Sequence, residues 1–256
     1  MTIHTRNKTI LGGIFLTALL LAAFAASMIL IFGRFDPAGE AVLMLVSLAM
    51  ELVYAVAAIV VLYFSFRKTR SPEIFFFIIF LISMCFNSLK APFVLLDAIG
   101  MAPYYGVLLT RAVYFGRFLG TLAILTSGLF PLGAEYQRME IYFGVSFLLA
   151  FALSAAITVD MTEIGPVMLF EMGHSRELGI INVIFLFFGV FNYVLYAIQN
   201  SSRDHFLIAA GLALVIVGRE MIYHSQHLVF SVIALVLLVA GTVLFGERTH
   251  SVHLWA

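Results

Sequence analysis

Apolar residues run through the chain in eight long stretches, at about 10–32, 41–66, 74–98, 106–130, 141–159, 180–199, 206–223 and 228–245. Each is long enough to cross a hydrocarbon core, which takes roughly 17–25 residues in a helix. The short alternating strands of an outer-membrane barrel are absent, so the stretches are expected to be helices. Connections are short, and the longest covers residues 160–179. The pattern predicts an all-α, polytopic membrane bundle of eight transmembrane helices, forming a single domain over 1–256.

The first stretch has a second reading. Arg6 and Lys8 precede it, and it contains Ala23-Phe24-Ala25-Ala26, which resembles a signal-peptide cleavage site. Cleavage would leave seven helices. The apolar run continues to Phe32, beyond the length of a signal core, which favours retention as a helix.

Composition agrees with a membrane protein. The chain is 63% hydrophobic and 11% charged, against about 45–50% and about 25% in soluble domains. Fourteen basic and fourteen acidic residues cancel, so the basic excess of a nucleic-acid binder is missing. The single cysteine, Cys85, excludes a disulfide framework and a Cys-based metal site.

Charge is unevenly placed. With the N-terminus inside, the inner segments carry Arg6, Lys8, Arg67, Lys68, Arg70, Arg138, Arg203 and Arg248, and the outer loops only Arg34 and Arg176. Asp36, Glu40, Asp160, Glu163, Glu171 and Glu177 collect outside. This bias predicts cytoplasmic N- and C-termini, in a plasma membrane such as the bacterial inner membrane. An offset of 133 residues relates Val61-Leu62-Tyr63 and Arg70 to Val194-Leu195-Tyr196 and Arg203, as a four-plus-four duplication would.

The remaining charges fall inside the apolar stretches: Glu51, Lys90, Arg111, Arg117, Arg219 and Glu220. A charge at the helix centre costs about 2.5–3.5 kcal/mol, so such residues face the bundle interior and pair. All six are expected in the outer half, with the inner halves almost purely apolar apart from Asn192, Tyr193, Tyr63 and scattered hydroxyls. Helical spacing puts Ser47, Glu51 and Tyr54 on one stripe, and Asn87, Lys90, Val94 and Asp97 on another, with a bend at Pro92. Arg111 and Arg117 lie about 240° apart around their helix and should meet different partners. One reading is a set of buried ion pairs fixing helix register, with Glu51 joined to Lys90 or Arg117. The other is a ligand pocket lined by Glu51, Asn87, Lys90, Arg111, Arg117, Arg219 and Glu220. Four interior cations against two anions leave a positive surplus suited to a carboxylate, phosphate or lipid headgroup.

Glu220, His224 and His227 would share a metal-competent stripe if their helix reaches His227, and His174 or Glu171 could complete a zinc site. His4, His205, His250 and His253 are expected to be solvated. Gly-bounded residues 165–173 read either as an ordinary membrane-surface segment or as a short interfacial helix, which as a lid would carry Glu171 and His174 towards the pocket. The phenylalanine clusters at 75–77 and 187–188 read as lipid-facing or interhelical. No paired histidines for a b-type haem lie within the spans, and no lysine for retinal follows Lys90.

In size and helix count the chain resembles the multi-spanning sensory modules of bacterial signalling proteins, in architecture alone. Three functions follow from the charges. A receptor or sensor bundle would bind a small anionic or lipid-like ligand and pass a helix shift to a membrane or cytoplasmic signalling partner. A proton-coupled secondary transporter would carry an anionic solute. An intramembrane hydrolase would use a metal held by Glu220, His224 and His227.

Overall fold

The computed structural model describes residues 2–34, 39–69, 71–101, 103–165, 167–224 and 227–254, without the side chains of Glu40, Glu163, Ser175, His253 and Leu254. Asp36 and Arg70, and the side chains of Glu40, Glu163 and His253, therefore lie outside the described residues. Among the rest, eight helical spans are long and apolar enough to cross a membrane, and the chain is an integral membrane protein.

The helices are α1 (Ile3–Arg34), α2 (Gly39–Phe66), α3 (Pro72–Met84), α4 (Lys90–Ala98), α5 (Pro103–Ser127), α6 (Met139–Ala156), α7 (Ser175–Gln199), α8 (Arg203–His224) and α9 (Leu228–Leu254). The third span is α3 and α4 joined by the 3-10 turn Cys85–Leu89. Two short strands, β1 (Val159–Ile164) and β2 (Phe170–Met172), connect α6 to α7. Both chain ends lie on one face, since Arg6 reaches the end of α2 and His250 of α9 packs on Phe66. This is the terminal face. The β-hairpin caps the other, where Phe170 meets Phe93 of α4.

The third span runs through the centre. Ser71 caps α3 by accepting the Ile74 N–H, Pro72 occupies the first turn where a missing N–H costs nothing, and Glu73 complements the helix dipole. All thirteen residues of α3 are buried. A helix apolar on every side is one that is surrounded, and here that distinguishes a central helix from a lipid-facing one. Phe77 stacks on Phe245 of α9 at 4.4 Å, and Phe76 on Phe130 at 5.6 Å. The phenylalanines at 75–77 are thus core, whereas Phe187 and Phe188 of α7 are exposed on the apolar perimeter.

The central span breaks before Pro92 and does not bend at it. Proline lacks the N–H that would bond the carbonyl four residues back, so the helix tightens upstream into 3-10 geometry. The Lys90 N–H closes the turn onto the Asn87 and Ser88 carbonyls.

Helix α1 is tied into the bundle by its first turns. The buried Arg6 guanidinium donates to the carbonyls of Phe66 and Arg67 at 3.0 and 3.1 Å, and to that of Thr69. It thereby satisfies the open carbonyls at the C-terminal end of α2. Arg6→Ala should lower stability by about 2–3 kcal/mol, or several degrees of Tm, with partial recovery in Arg6→Lys. An unchanged melting curve of the purified chain would show that this end of α1 is not docked.

Of the two readings of the long loop, the interfacial helix is not formed: residues 167–169 lead into β2, the second strand of the hairpin. Val159 pairs with Met172, Asp160 with Glu171 and Ile164 with Phe170, with an irregularity between Asp160 and Ile164. Val159, Thr162 and Ile164 of β1 are β-branched, which favours a strand there. The hairpin is anchored from below: Leu169 is fully buried beside Phe93 and Val113. At Gly106 an added Cβ would come within 2.6 Å of the Phe170 ring, so that ring sits directly on the α5 backbone.

Candidate functional site

The buried charges come together at the break in the central span. Glu51 of α2 is 1% exposed, and its carboxylate accepts both Asn87 contacts, at 2.9 and 3.2 Å. It does so without pairing directly to Lys90 or Arg117, the two expected partners. The 3-10 turn places Asn87 opposite α2, and neutral donors there satisfy the carboxylate. The flanking residues of the α2 stripe turn to α9: Ser47 bonds Ser231 at 2.7 Å, and Tyr54 bonds Thr242.

Lys90 opens α4 and is 2% exposed. Its ammonium stands 4.0 Å from the centroid of the Tyr223 ring, and the Arg117 guanidinium stands at the same distance from that ring. Arg117 also donates to Glu220 at 2.8 Å. Arg219, next to Glu220 on α8, donates to the Arg117 carbonyl at 3.0 Å and lies 5.4 Å over Phe80. Thr121 bonds Asn182 and stands 3.5 Å from Arg219. Among the described residues, Lys90 has no carboxylate within ion-pair distance. Aromatic faces stabilise such cations by about 0.5–2 kcal/mol each, more when desolvated.

Six of the seven predicted ligand-binding residues thus gather here, Glu51 with Asn87 as one pair and Lys90, Arg117, Arg219 and Glu220 around Tyr223 as a second group. Arg111 does not join them. It faces away from Arg117 as its spacing required, and its Nε is buried without a hydrogen bond among the described residues. A cavity of about 240 Å³ lies beside the second group, beneath the hairpin, with Tyr114, Arg117, Tyr223 and His224 on the helical side and Glu171 on the strand side. Arg117 alone of the predicted set lines it. Asn182 Nδ2 and Glu220 Oε1 are buried and without hydrogen bonds among the described residues, the kind of group that water or a ligand completes.

Tyr223, Tyr114, Thr121 and Asn182 were not singled out by the charge pattern. Tyr223 lies three residues after Glu220, and Tyr114 three before Arg117, so helical spacing from the charges would have found both. The loop histidine did not follow Glu171: His174 is exposed, 3.9 Å from Glu177. At the hairpin's start, Asp160 accepts the Thr162 N–H and hydroxyl at 2.9 and 2.6 Å, which holds its carboxyl below the usual range.

The expected zinc ligands are not gathered among the described residues. Helix α8 is described as far as His224, and His227 lies just before α9. His224 Nδ1 lies 3.0 Å from the Glu220 carbonyl and 4.0 Å from its carboxylate. Among the described residues no three His, Cys, Asp or Glu side chains gather as metal ligands.

The chain matches no protein-family model and no curated protein. Its site must be read from its own chemistry.

The terminal face is also less apolar than expected. Glu73 is 5% exposed and accepts from Ser71 at 2.8 Å. Tyr193 is 1% exposed and bonds Ser127 at 2.7 Å. His205, expected to be solvated, is half-buried with its ring 4.4 Å from that of Tyr196.

Proposed function

We propose that the chain is a membrane-embedded binding protein of the receptor or sensor type, taking a small anionic or lipid-like group in the cavity beneath the hairpin. The observation that carries this is the charge behind the cavity wall. Lys90, Arg117 and Arg219 stand against Glu51 and Glu220, and Lys90 is held by an aromatic ring with no carboxylate partner among the described residues. A cavity of about 240 Å³ suits a small carboxylate or a phosphate headgroup. By the positive-inside rule the hairpin face is the outer one and the terminal face cytoplasmic. The natural location is then a plasma membrane. The 3-10 turn at Cys85–Leu89 is the element whose geometry could pass a shift along the central span to a partner.

Thermal stabilisation of the purified chain by phosphate, small carboxylates and short-chain phosphatidylglycerol tests the reading. A ligand at 100 times its Kd adds about 2.7 kcal/mol, several degrees of Tm. Arg117→Gln should abolish the shift. Glu171→Gln, at an exposed strand position, should strengthen it by removing a negative charge from the cavity wall. No shift with any of these anions, or tighter binding in neither variant nor wild type, would overturn the proposal.

A second reading, transport of the same anion, is favoured by the broken central span and by cavities at both faces. Uptake into proteoliposomes that Glu51→Gln abolishes while binding persists would select it over the receptor reading.

A further inference from the structure

Ser27, Ser47 and Ser154 lie within the spans, and each donates to a carbonyl of its own helix at 2.9 Å. Asn87 donates to Glu51, and Asn182 accepts from Thr121. Asn200, just past the end of α7, turns back onto the Tyr196 carbonyl at 3.0 Å. Asn192 of α7 does none of this. Its side chain is half-buried and makes no hydrogen bond among the described residues. Helix α7 is centred on Phe187, so Asn192 lies about 8 Å from the midpoint along the axis. That depth is inside a hydrocarbon core about 30 Å thick. Water is absent there, and an amide that meets lipid goes unsatisfied.

We propose that α7 pairs with α7 of a second copy of this chain, the two Asn192 carboxamides bonding each other across a two-fold axis normal to the membrane. Amide side chains hydrogen-bond between helices in lipid and hold them together. A carboxamide is donor and acceptor at once, so it complements its own copy. In a two-fold contact a residue on the axis meets itself. The surrounding surface suits that occupant. Only 22% of the apolar window of α7 is buried within the chain, against 89% in the central span, so α7 has a face to offer. Helical spacing puts Ile181 and Phe188, both exposed, on the same flank as Asn192. No charged residue follows Glu177 in α7, so a second copy meets no like charge along this helix. Within the chain, α5 supplies no partner: a Cβ on Gly128 would lie 3.2 Å from the Asn192 Cβ, and glycine has no side chain to offer. Lipid would cover a wholly apolar flank equally well, but acyl chains give the amide neither donor nor acceptor.

The full chain, carrying donor or acceptor dyes at its N-terminus, is reconstituted in phosphatidylcholine–phosphatidylglycerol vesicles over a range of protein-to-lipid ratios. Energy transfer between the dyes reads association. Asn192→Leu should weaken association about tenfold, whereas Asn192→Gln, which keeps the carboxamide, should change it less than about threefold. Asn192 makes no hydrogen bond within the chain, so the monomer of Asn192→Leu should melt as wild type does. A second measurement stands if that variant does not fold. In a Cys85→Ala background, Asn192→Cys should form a disulfide between copies when membranes are oxidised with copper–phenanthroline. Val183→Cys, exposed on the opposite side of α7, should not. Wild type that stays monomeric at every ratio, association undiminished in a folded Asn192→Leu, or a cross-link at Val183→Cys in place of Asn192→Cys would overturn the proposal.

Discussion

Glu220→Ala should destabilise the bundle by about 2–4 kcal/mol, read as a lower midpoint in detergent-titrated unfolding. Glu220 is the carboxylate that Arg117 grips at 2.8 Å, and Arg219 lies 3.8 Å from its other oxygen. Removing it leaves two guanidinium groups, 14% and 4% exposed at the side chain, without a carboxylate. Breaking one side of a fully buried pair costs about 3–5 kcal/mol. The 24% exposure of Glu220 lets some water reach the site, which trims that figure. The double variant Arg117→Met with Glu220→Leu should recover most of the loss, because two well-packed apolar side chains avoid the desolvation that the pair must offset. Arg219 would keep its bond to the residue 117 carbonyl. The two single changes must therefore be strongly non-additive. Additive effects, or a Glu220→Ala midpoint equal to wild type, would show that water already serves as the partner of Arg117.

The eight spans were legible because their signal is length and apolar continuity, which the bilayer imposes on each segment separately. The polar interior was legible for a related reason. Lys90, Arg117 and Arg219 are too costly to face lipid, so their presence alone placed them inside. Partner choice was not legible. Glu51 could be assigned to Lys90 or Arg117 by depth, but a tightened turn before Pro92 swings Asn87 into its reach. A change of less than one helical turn decides such a pairing, and hydropathy carries no trace of it. The hairpin at the long loop was not legible, for a different cause. The apolar content of residues 165–173 fits a surface helix, whereas their shape is set by pairing with 159–164 and by Leu169 and Phe170 finding Phe93 and Gly106. The burial of Glu73 is not legible, because it precedes the apolar stretch at 74–98 and so reads as a loop charge. Only the central position of α3 makes it an interior one.

A glycine-lined helix contact carries the other large expected effect. Helices α8 and α9 meet so tightly that a Cβ on Gly211 would lie 2.8 Å from the Phe245 amide nitrogen and 2.9 Å from the Gly241 carbonyl. A Cβ on Gly241 would lie 2.6 Å from the Gly211 carbonyl. The obstructing atoms are backbone, so no side chain can rotate away, and Gly241→Val should force the helices apart. Small residues at such crossings are what allows helices in lipid to gain dispersion contact without a hydrophobic driving force. We expect a loss of about 3 kcal/mol, the upper end of overpacking costs, since α9 also carries Ser231 and Thr242, the partners of Ser47 and Tyr54. Gly144→Ala is the control. A Cβ there meets nothing within 4 Å, and alanine is the better helix former by up to about 1 kcal/mol. The displacement should also reach the charges. Glu220 and Tyr223 ride on α8, so a helix pushed from α9 moves them against Arg117 and Lys90. Gly241→Val should therefore weaken anion binding beneath the hairpin, though it lies far from the cavity. A stable variant with native anion affinity would show that α8 holds its position through α5 and α7, without help from α9.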